Sequence, residues 1–272
     1  MKPPSIEHID FLRSAVVDTY THELVGNALL VGKRLDGRTS IQPRKIHVEQ
    51  LANPGNVIVS LGDTIVFVAV SSEIVPPNVE HPTEGIVTFS VELSPMCSLN
   101  YEPGKASDVE QEISYAIEKI YKDSGIIDVE SLCIVSRKHV WCLRVNIHIL
   151  QNDGNLLDAT NIAVFKALMS YRKPDTQLNG DGMRLDLDAN YSSTLNLYHN
   201  PVYVTSGSSY NRQCLVDANT LEERTVTTQV SMYFNGFGDL FAIYKSGGTG
   251  ISLDRISETI DVGMSVIEKY KR

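Results

Sequence analysis

The stretch from His148 to Ala159, HILQNDGNLLDA, holds the residues with the clearest chemical consequence. It reads as a strand that ends in a tight Asp153-Gly154 turn and runs directly into a helix. A junction of this kind aims backbone N–H groups at one point, where a phosphate is readily held. A phosphate site also asks for glycine, a hydroxyl or an arginine fork at the turn exit. Here the turn exit carries Asn155, Leu156 and Leu157. The backbone pattern is that of a phosphate-using enzyme, whereas the side chains are not.

Other chemistry-bearing runs are weaker. Lys33-Arg34-Leu35-Asp36-Gly37-Arg38 is a polar turn with three cations, suited either to solvent or to a ligand. Ser246-Gly247-Gly248-Thr249-Gly250 is glycine-rich but lacks the lysine of a nucleotide-binding loop, so it reads as a strand-to-helix connection. Lys119 and Lys122 share one side of a helix end, where the dipole favours cations by about 0.3–1 kcal/mol. The seven histidines show no HxxxH or HExxH spacing and the four cysteines (Cys97, Cys133, Cys142, Cys214) form no CxxC pair. No metal site and no cofactor is expected, and the cysteines read as small hydrophobes in a reducing compartment.

These residues sit on elements that the hydrophobic pattern outlines. A helical segment over 5–31, capped by Ser5 after two prolines, precedes the main domain. Strands are expected at Ile46–Val48, Val57–Leu61, Thr64–Val70 and Ile86–Leu93. Glu102-Pro103-Gly104 breaks the chain before a helix over 106–123 that buries Val109, Ile113, Ala116, Ile117 and Ile120. Leu132–Val135 and Val140–Leu150 form a strand pair, with a bulge expected near Leu143 where the alternation slips. A largely apolar helix over 158–171 suits a position between layers. Beyond it come short strands at Met183–Leu187, Val202–Thr205, Gln213–Val216, Thr228–Phe234 and Leu240–Tyr244, then a helix from Ser252 to near Arg272. The order implies an α/β (α+β) sandwich, with helices on one face of antiparallel-rich sheets. It divides into an N-terminal segment 1–32 and a domain 33–272 with lobes of about 33–150 and 151–272.

The hydrophobic content, 42%, is enough for a large core, and no run of about 18 apolar residues suggests a membrane span. The first residues carry charges where a secretory signal needs an apolar centre, so a soluble intracellular protein is expected. A net charge of −9 argues against free-standing nucleic-acid binding, leaving a confined basic strip as the route to RNA.

Arg34-Leu35-Asp36-Gly37-Arg38, Thr83-Glu84-Gly85, Glu92-Leu93-Ser94-Pro95-Met96 and Glu102-Pro103-Gly104 form one set of motifs. Asp128 to Cys133, Val140-Trp141, Asp153-Gly154-Asn155, Asp158-Ala159, Leu215-Val216-Asp217 and Ser246-Gly247-Gly248 complete it. The combination, spread over about 33–265, resembles the RNase PH family of phosphorolytic exoribonucleases and their exosome-ring relatives. Within it the chain is most similar to the non-catalytic ring subunits of the PM/Scl autoantigen type. The resemblance implies a ribosomal-S5-domain-2-like, two-lobed βαβα fold.

It also implies what the site residues do. Asp217 matches one acidic residue of the family's reaction centre and is expected to be vestigial. Leu221 falls where the second acid is expected, with Glu222 and Glu223 as neighbours able to substitute. Asn155, Leu156 and Leu157 form a degenerate phosphate turn, because leucine has no donor for a dianion. No catalytic residue is therefore expected. Lys119 and Lys122 match positions that face RNA, and Lys105, Arg34, Arg38 and Arg144 are further RNA-binding candidates; no aromatic interleaving suggests base stacking. The implied role is a non-catalytic subunit of the RNA exosome ring that supports 3′→5′ RNA processing and degradation and lines the RNA channel. Its implied partners are RNase PH-like paralogues in a six-membered ring, S1/KH-type cap subunits, a hydrolytic exoribonuclease and RNA, with residence in nucleus, nucleolus and cytoplasm. The alternatives are an active phosphate-dependent exoribonuclease with a composite site, and an interaction protein that uses the fold without RNA.

Overall fold

The structure is a computed structural model that describes residues 19–97, 107–174, 176–179, 182–185, 193–208, 214–226, 228–247 and 250–270. Ser5, Glu102-Pro103-Gly104, Lys105, Gly248 and Thr249 lie outside them. So do Leu187, Gln213 and Arg272, the expected ends of three elements.

The first sheet carries β1 (Ile46–Gln50), β2 (Asn56–Leu61), β3 (Thr64–Val75), β4 (Ile86–Leu93), β5 (Cys133–Val135) and β6 (His139–Gln151). Its order is β1-β2-β3-β6-β4, with β5 paired to β6 as a hairpin; only β4 and β6 run parallel. Alternation along β2 and the first half of β3 buries Val57, Val59, Leu61, Val66, Val68 and Val70 on one face. β6 is continuously buried from Val140 to Leu143. The alternation slip near Leu143 is therefore burial on both faces of a central strand, and the register against β3 is regular there. The irregularity lies instead beside Ile65 and Val66, where the β6 partner skips from Gln151 to Ile149.

Helix α1 (Thr19–Leu30) precedes this sheet, and α2 (Asp108–Asp123) and α3 (Leu156–Ser170) pack against it. α2 starts at a capping box: Ser107 accepts from Glu110 N, and Glu110 accepts from Ser107 N at 2.7 Å. The second oxygen of Glu110 accepts from Leu93 N at 2.6 Å, which ties the start of α2 to the end of β4.

β7 (Arg172–Lys173) pairs with β10 (Ser193–Thr194), and β8 (Thr176–Asn179) with β9 (Gly182–Leu185). The second main sheet has the order β12-β11-β13-β14, built from β11 (Val202–Ser208), β12 (Cys214–Val216), β13 (Thr228–Phe234) and β14 (Leu240–Ser246). A short helix, α4 (Thr220–Thr225), follows β12, and α5 (Leu253–Tyr270) ends the described chain. Tyr203 and Tyr233 join the core shared with α3, whereas Val204, Val230, Met232 and Phe234 pack against Val266 and Ile267 of α5. The second sheet is thus covered by helices on both faces, and α3 lies between the two sheets. The expected single-sided covering does not hold there, because both faces of β11 and β13 are largely buried, one with Val204, Val230, Met232 and Phe234 and the other with Tyr203, Thr205, Ser231 and Tyr233.

Several family-like motifs are structural. Gly85 sits so close to Leu132 and to the Trp141 carbonyl that a Cβ would meet them at 2.3 and 2.9 Å. Its N–H donates to Val129 O at 2.8 Å, which pins the 128–132 segment beside β6. No described helix is long and apolar enough to cross a membrane.

Candidate functional site

β6 ends where α3 begins, and the turn between them is built by two residues in left-handed conformation, Gly154 (φ 79) and Asn155 (φ 54). Gly154 is required by proximity as well: a Cβ would meet Asn219 C and Thr220 N at 2.7 Å and Ala218 O at 2.8 Å. Backbone therefore meets backbone between this turn and the corner that follows β12. That corner carries Asp217, also left-handed (φ 53), then the capping box Asn219/Glu222 of α4.

Asp217 is 2% exposed and surrounded by donors. Arg44 reaches it with its backbone N (2.7 Å), Nε (3.0 Å) and Nη2 (2.9 Å), Arg38 with Nη1 (3.0 Å), and Asn155 with Nδ2 (2.7 Å). Burial opposes its ionisation, but the hydrogen bonds and charge of Arg44 outweigh it and hold the carboxyl below its ordinary range. Arg44 also donates to Asp153 O at 2.8 Å and Gly154 O at 3.0 Å, so one guanidinium ties the segment before β1 to the turn and the β12 corner. The Arg34 guanidinium is equally occupied within the fold. It donates through Nε to Glu222 (2.9 Å), through Nη1 to Val216 O (2.9 Å) and through Nη2 to Asp217 O (2.8 Å).

Asn155 links this cluster to a second buried acid. Its Nδ2 also donates to Asp158 Oδ2 at 2.9 Å, and Asp158 accepts from Thr205 N (3.0 Å) and Thr205 Oγ1 (2.6 Å). Burial pushes the Asp158 carboxyl up to about 6, with Thr205 and Asn155 holding it down and Asp217 adding to the rise. The Asn155 backbone N–H, at the opening of α3, donates to Glu223 Oε1 at 2.8 Å. The chain's own carboxylate thus takes the place at the helix N-terminus that the dipole reserves for an anion.

Beside this point lies a cavity of about 210 Å³, lined by Glu112, Asn155, Leu156, Leu157, Glu223, Gln229 and Tyr244 among others. An adjoining groove of about 370 Å³ runs between α2 and β14, with Tyr115, Lys119, Tyr203, Tyr233, Phe241 and Tyr244 on its walls. Among the described residues no three His, Cys, Asp or Glu side chains gather closely enough to hold a metal ion.

The candidates from the sequence separate cleanly. Asn155, Leu156 and Leu157 line one cavity, and the Asn155 side chain reaches Asp217. Arg34 and Arg38 do not serve as an RNA-facing strip. The Arg34 side chain is fully buried, and Arg38 is spent on Asp36 (2.5 Å) and Asp217, because the 33–44 segment folds inward onto the β12 corner. Leu221 is half-exposed and away from the cavity, whereas Glu223 lines it, so Glu223 is the acid that accompanies the turn. Lys119 and Lys122 are exposed on α2; Lys119 lies 5.6 Å from the Tyr115 ring centroid and Lys122 pairs with Glu118. Arg144 pairs with Glu73 across the first sheet. The sequence missed Arg44, whose only local signal is the turn-like Pro43-Arg44-Lys45 context, and it missed the aromatic groove beside Lys119, whose members are distant in sequence.

With this geometry in hand, the class of protein is defined. Models of the 3′ exoribonuclease (RNase PH) family match residues 41–174 with domain 1 and 199–266 with domain 2, and the chain belongs to this family. It is similar to "Exosome complex component RRP45" of Bos taurus, 35% identical over 239 residues, which cover 87% of this chain and 54% of that protein. It is also similar to "Exosome complex component rrp45" of Schizosaccharomyces pombe, 34% identical over 250 residues, covering 90% and 86%. The chain spans about half the length of the vertebrate relatives it matches. Among solved structures, the "archaeoglobus fulgidus exosome with RNA bound to the active site" aligns with a TM-score of 0.81 at 27% identity, covering 93% of this chain and 96% of that one. An "Archaeal exosome core" chain aligns with a TM-score of 0.77 at 26% identity, covering 97% of each.

Proposed function

We propose that this chain is a non-catalytic subunit of an RNA exosome ring, supporting 3′→5′ RNA processing and degradation without turning over RNA itself. The observation that carries the reading is the start of α3. Leu156 and Leu157 offer no side-chain donor, and the Glu223 carboxylate already accepts from the Asn155 N–H at 2.8 Å. Phosphorolysis needs inorganic phosphate held beside the 3′ end of RNA. Both the proximity and the charge stabilisation that catalysis requires are lost when an internal anion and two aliphatic chains hold that place.

The scaffold would pair with RNase PH-like paralogues in a six-membered ring, capped by S1/KH-type subunits and served by a hydrolytic exoribonuclease, in nucleus, nucleolus and cytoplasm. RNA in the channel would meet Lys119 and Lys122, the exposed cations of α2, with Arg144 a lesser contact. The relatives named as exosome components and the exosome chains of similar fold support this reading. Purifying the chain under gentle conditions from its native source and measuring the mass and composition of its complex tests it. A hetero-oligomer with several RNase PH-like chains is expected; a homo-oligomer of this chain alone overturns the proposal.

One observation favours the second reading, an active phosphorolytic exoribonuclease with a composite site. Two acids, Asp217 and Glu223, flank the same turn. That reading needs a neighbouring subunit to supply arginines. Asp217 is a poor probe because it holds the fold, so Glu223→Gln in the assembled ring is the discriminating change. Unchanged RNA decay counts against the composite site.

A further inference from the structure

The groove between α2 and β14 gathers aromatic rings that the chain order keeps far apart. Tyr115 of α2 and Phe241 and Tyr244 of β14 stand 57%, 48% and 37% exposed along it. Behind them Phe241, Tyr233 and Tyr203 form a continuous series, with ring centroids 5.7 Å apart at each step and planes tilted by 48° and 45°. Tyr203 and Tyr233 face each other across β11 and β13, so the second sheet supplies this floor. The Tyr244 hydroxyl is hydrogen-bonded to Glu112 of α2, which fixes that ring against the helix. Lys119 donates to the Tyr115 hydroxyl at 3.5 Å and lies 5.6 Å from the centroid of its ring. Among the described residues, Lys119 and Asp123 are the charged ones that line the groove, one of each sign. Solvent-facing rings clustered on the walls of one groove mark a binding surface. Rings beside a single cation suit a flat π-system joined to one negative charge.

We propose that this groove stacks an unpaired nucleobase of single-stranded RNA, with Tyr115 and Phe241 as its π surfaces, Lys119 at the attached phosphate and Asp123 at the base edge. Stacking on aromatic side chains accepts any base, because every base has a π-face. A groove whose lining charges cancel does not track a phosphate backbone, which takes a row of cations. It holds the base, and Lys119 reaches the one phosphate beside it. The Asp123 carboxylate only accepts, so it favours a base with an exocyclic amino group: among the pyrimidines, cytosine over uracil. The volume, about 370 Å³, lies within the range of small-ligand sites, ~300–1,000 Å³. An aromatic side chain of a partner protein would fill the same walls but brings no phosphate to Lys119. The inference rests on the proposed reading in which RNA meets α2, and adds to it a base contact that neighbours in the chain do not announce.

The probes are tetracytidylate, tetrauridylate and an abasic ribose-phosphate tetramer, titrated separately into the full chain carrying ¹³C-labelled tyrosine and phenylalanine rings. Tyr115, Tyr244 and Phe241 report from the groove walls. Tetracytidylate is expected to shift their ring signals saturably, tetrauridylate to bind more weakly, and the abasic tetramer to bind at least about tenfold more weakly than tetracytidylate (about 1.4 kcal/mol). Tyr115→Ala and Phe241→Ala, both at exposed positions, are each expected to weaken tetracytidylate binding about tenfold. Tyr115→Phe, which keeps the ring, is expected to bind like the unaltered chain. Salt separates base from phosphate: Lys119→Ala should reduce the slope of log affinity against log salt by about one, and Tyr115→Ala should leave it unchanged. No saturable shift, equal affinity for the abasic tetramer, equal affinity for the two pyrimidine tetramers, or unchanged affinity in Phe241→Ala overturns the proposal. In the native complex freed of RNA, ring signals that respond as in the isolated chain support it. Signals already shifted and unresponsive mean that a side chain of a neighbouring subunit fills the groove, and overturn it. Failure here leaves the ring assignment standing, since the mass and composition of the complex do not depend on the groove. A homo-oligomer overturns the ring assignment and leaves this titration unchanged.

Discussion

Asp217 is held by a dense set of hydrogen bonds, and they define what it does. With two arginines and an asparagine donating to it, it organises the turn before α3. Removing a buried partner from such a pair strands the other charges, at a cost of about 3–5 kcal/mol. Asp217→Ala is therefore expected to lower stability by that amount in denaturant unfolding. The pH dependence follows from the direction of its shift. The folded pKa lies below that of the unfolded chain, about 3.9. Its stabilisation is complete above pH ~4 and disappears as pH falls through the depressed folded pKa. The stability gap between wild type and Asp217→Asn should accordingly be widest above pH ~4 and close in acid. A constant gap across pH would contradict this role. Single residues were partly legible in sequence: Leu156 and Leu157 announced the missing donors. The fate of Arg34 was not, since a buried arginine and a ligand-facing one look alike until Glu222, 188 positions away, is placed beside it.

Among the elements, the β6–α3 junction is the most constrained. Gly154 is left-handed, with backbone of the β12 corner against its Cα. Gly154→Ala should cost roughly 1–3 kcal/mol through strain alone, and more where the corner must give way, read as a lowered denaturant midpoint with unchanged slope. Helix α2 offers the contrasting prediction. Lys119 and Lys122 are exposed, and Lys119 lies beside the aromatic groove. Reversing both to Glu should leave stability within about 0.5 kcal/mol while reducing RNA crosslinking to the assembled ring; undiminished crosslinking would remove α2 from the RNA path. The elements themselves were readable where one periodicity prevailed. β4 and β13 fall on the residues expected, whereas the α2 capping box of Ser107 and Glu110 went unread although the helix itself was expected. α4 escaped notice because six residues hold too few turns to show a stripe. The slip near Leu143 misled because a strand buried on both faces has no alternation to keep.

At the scale of the whole molecule, a family scaffold is preserved, and the proposed function holds that the centre it positions does not turn over RNA. Two sheets, with α3 between them, bring the turn, Asp217 and Glu223 together, so the proposed loss lies in side-chain chemistry and not in fold. Phosphate-dependent release of nucleoside diphosphates from a 3′-ended RNA measures that loss directly, with the purified chain and with a ring in which it is the only RNase PH-type subunit left unmutated. The account predicts no release above the phosphate-free control in either. Release that depends on phosphate and is abolished by Glu223→Gln would contradict it.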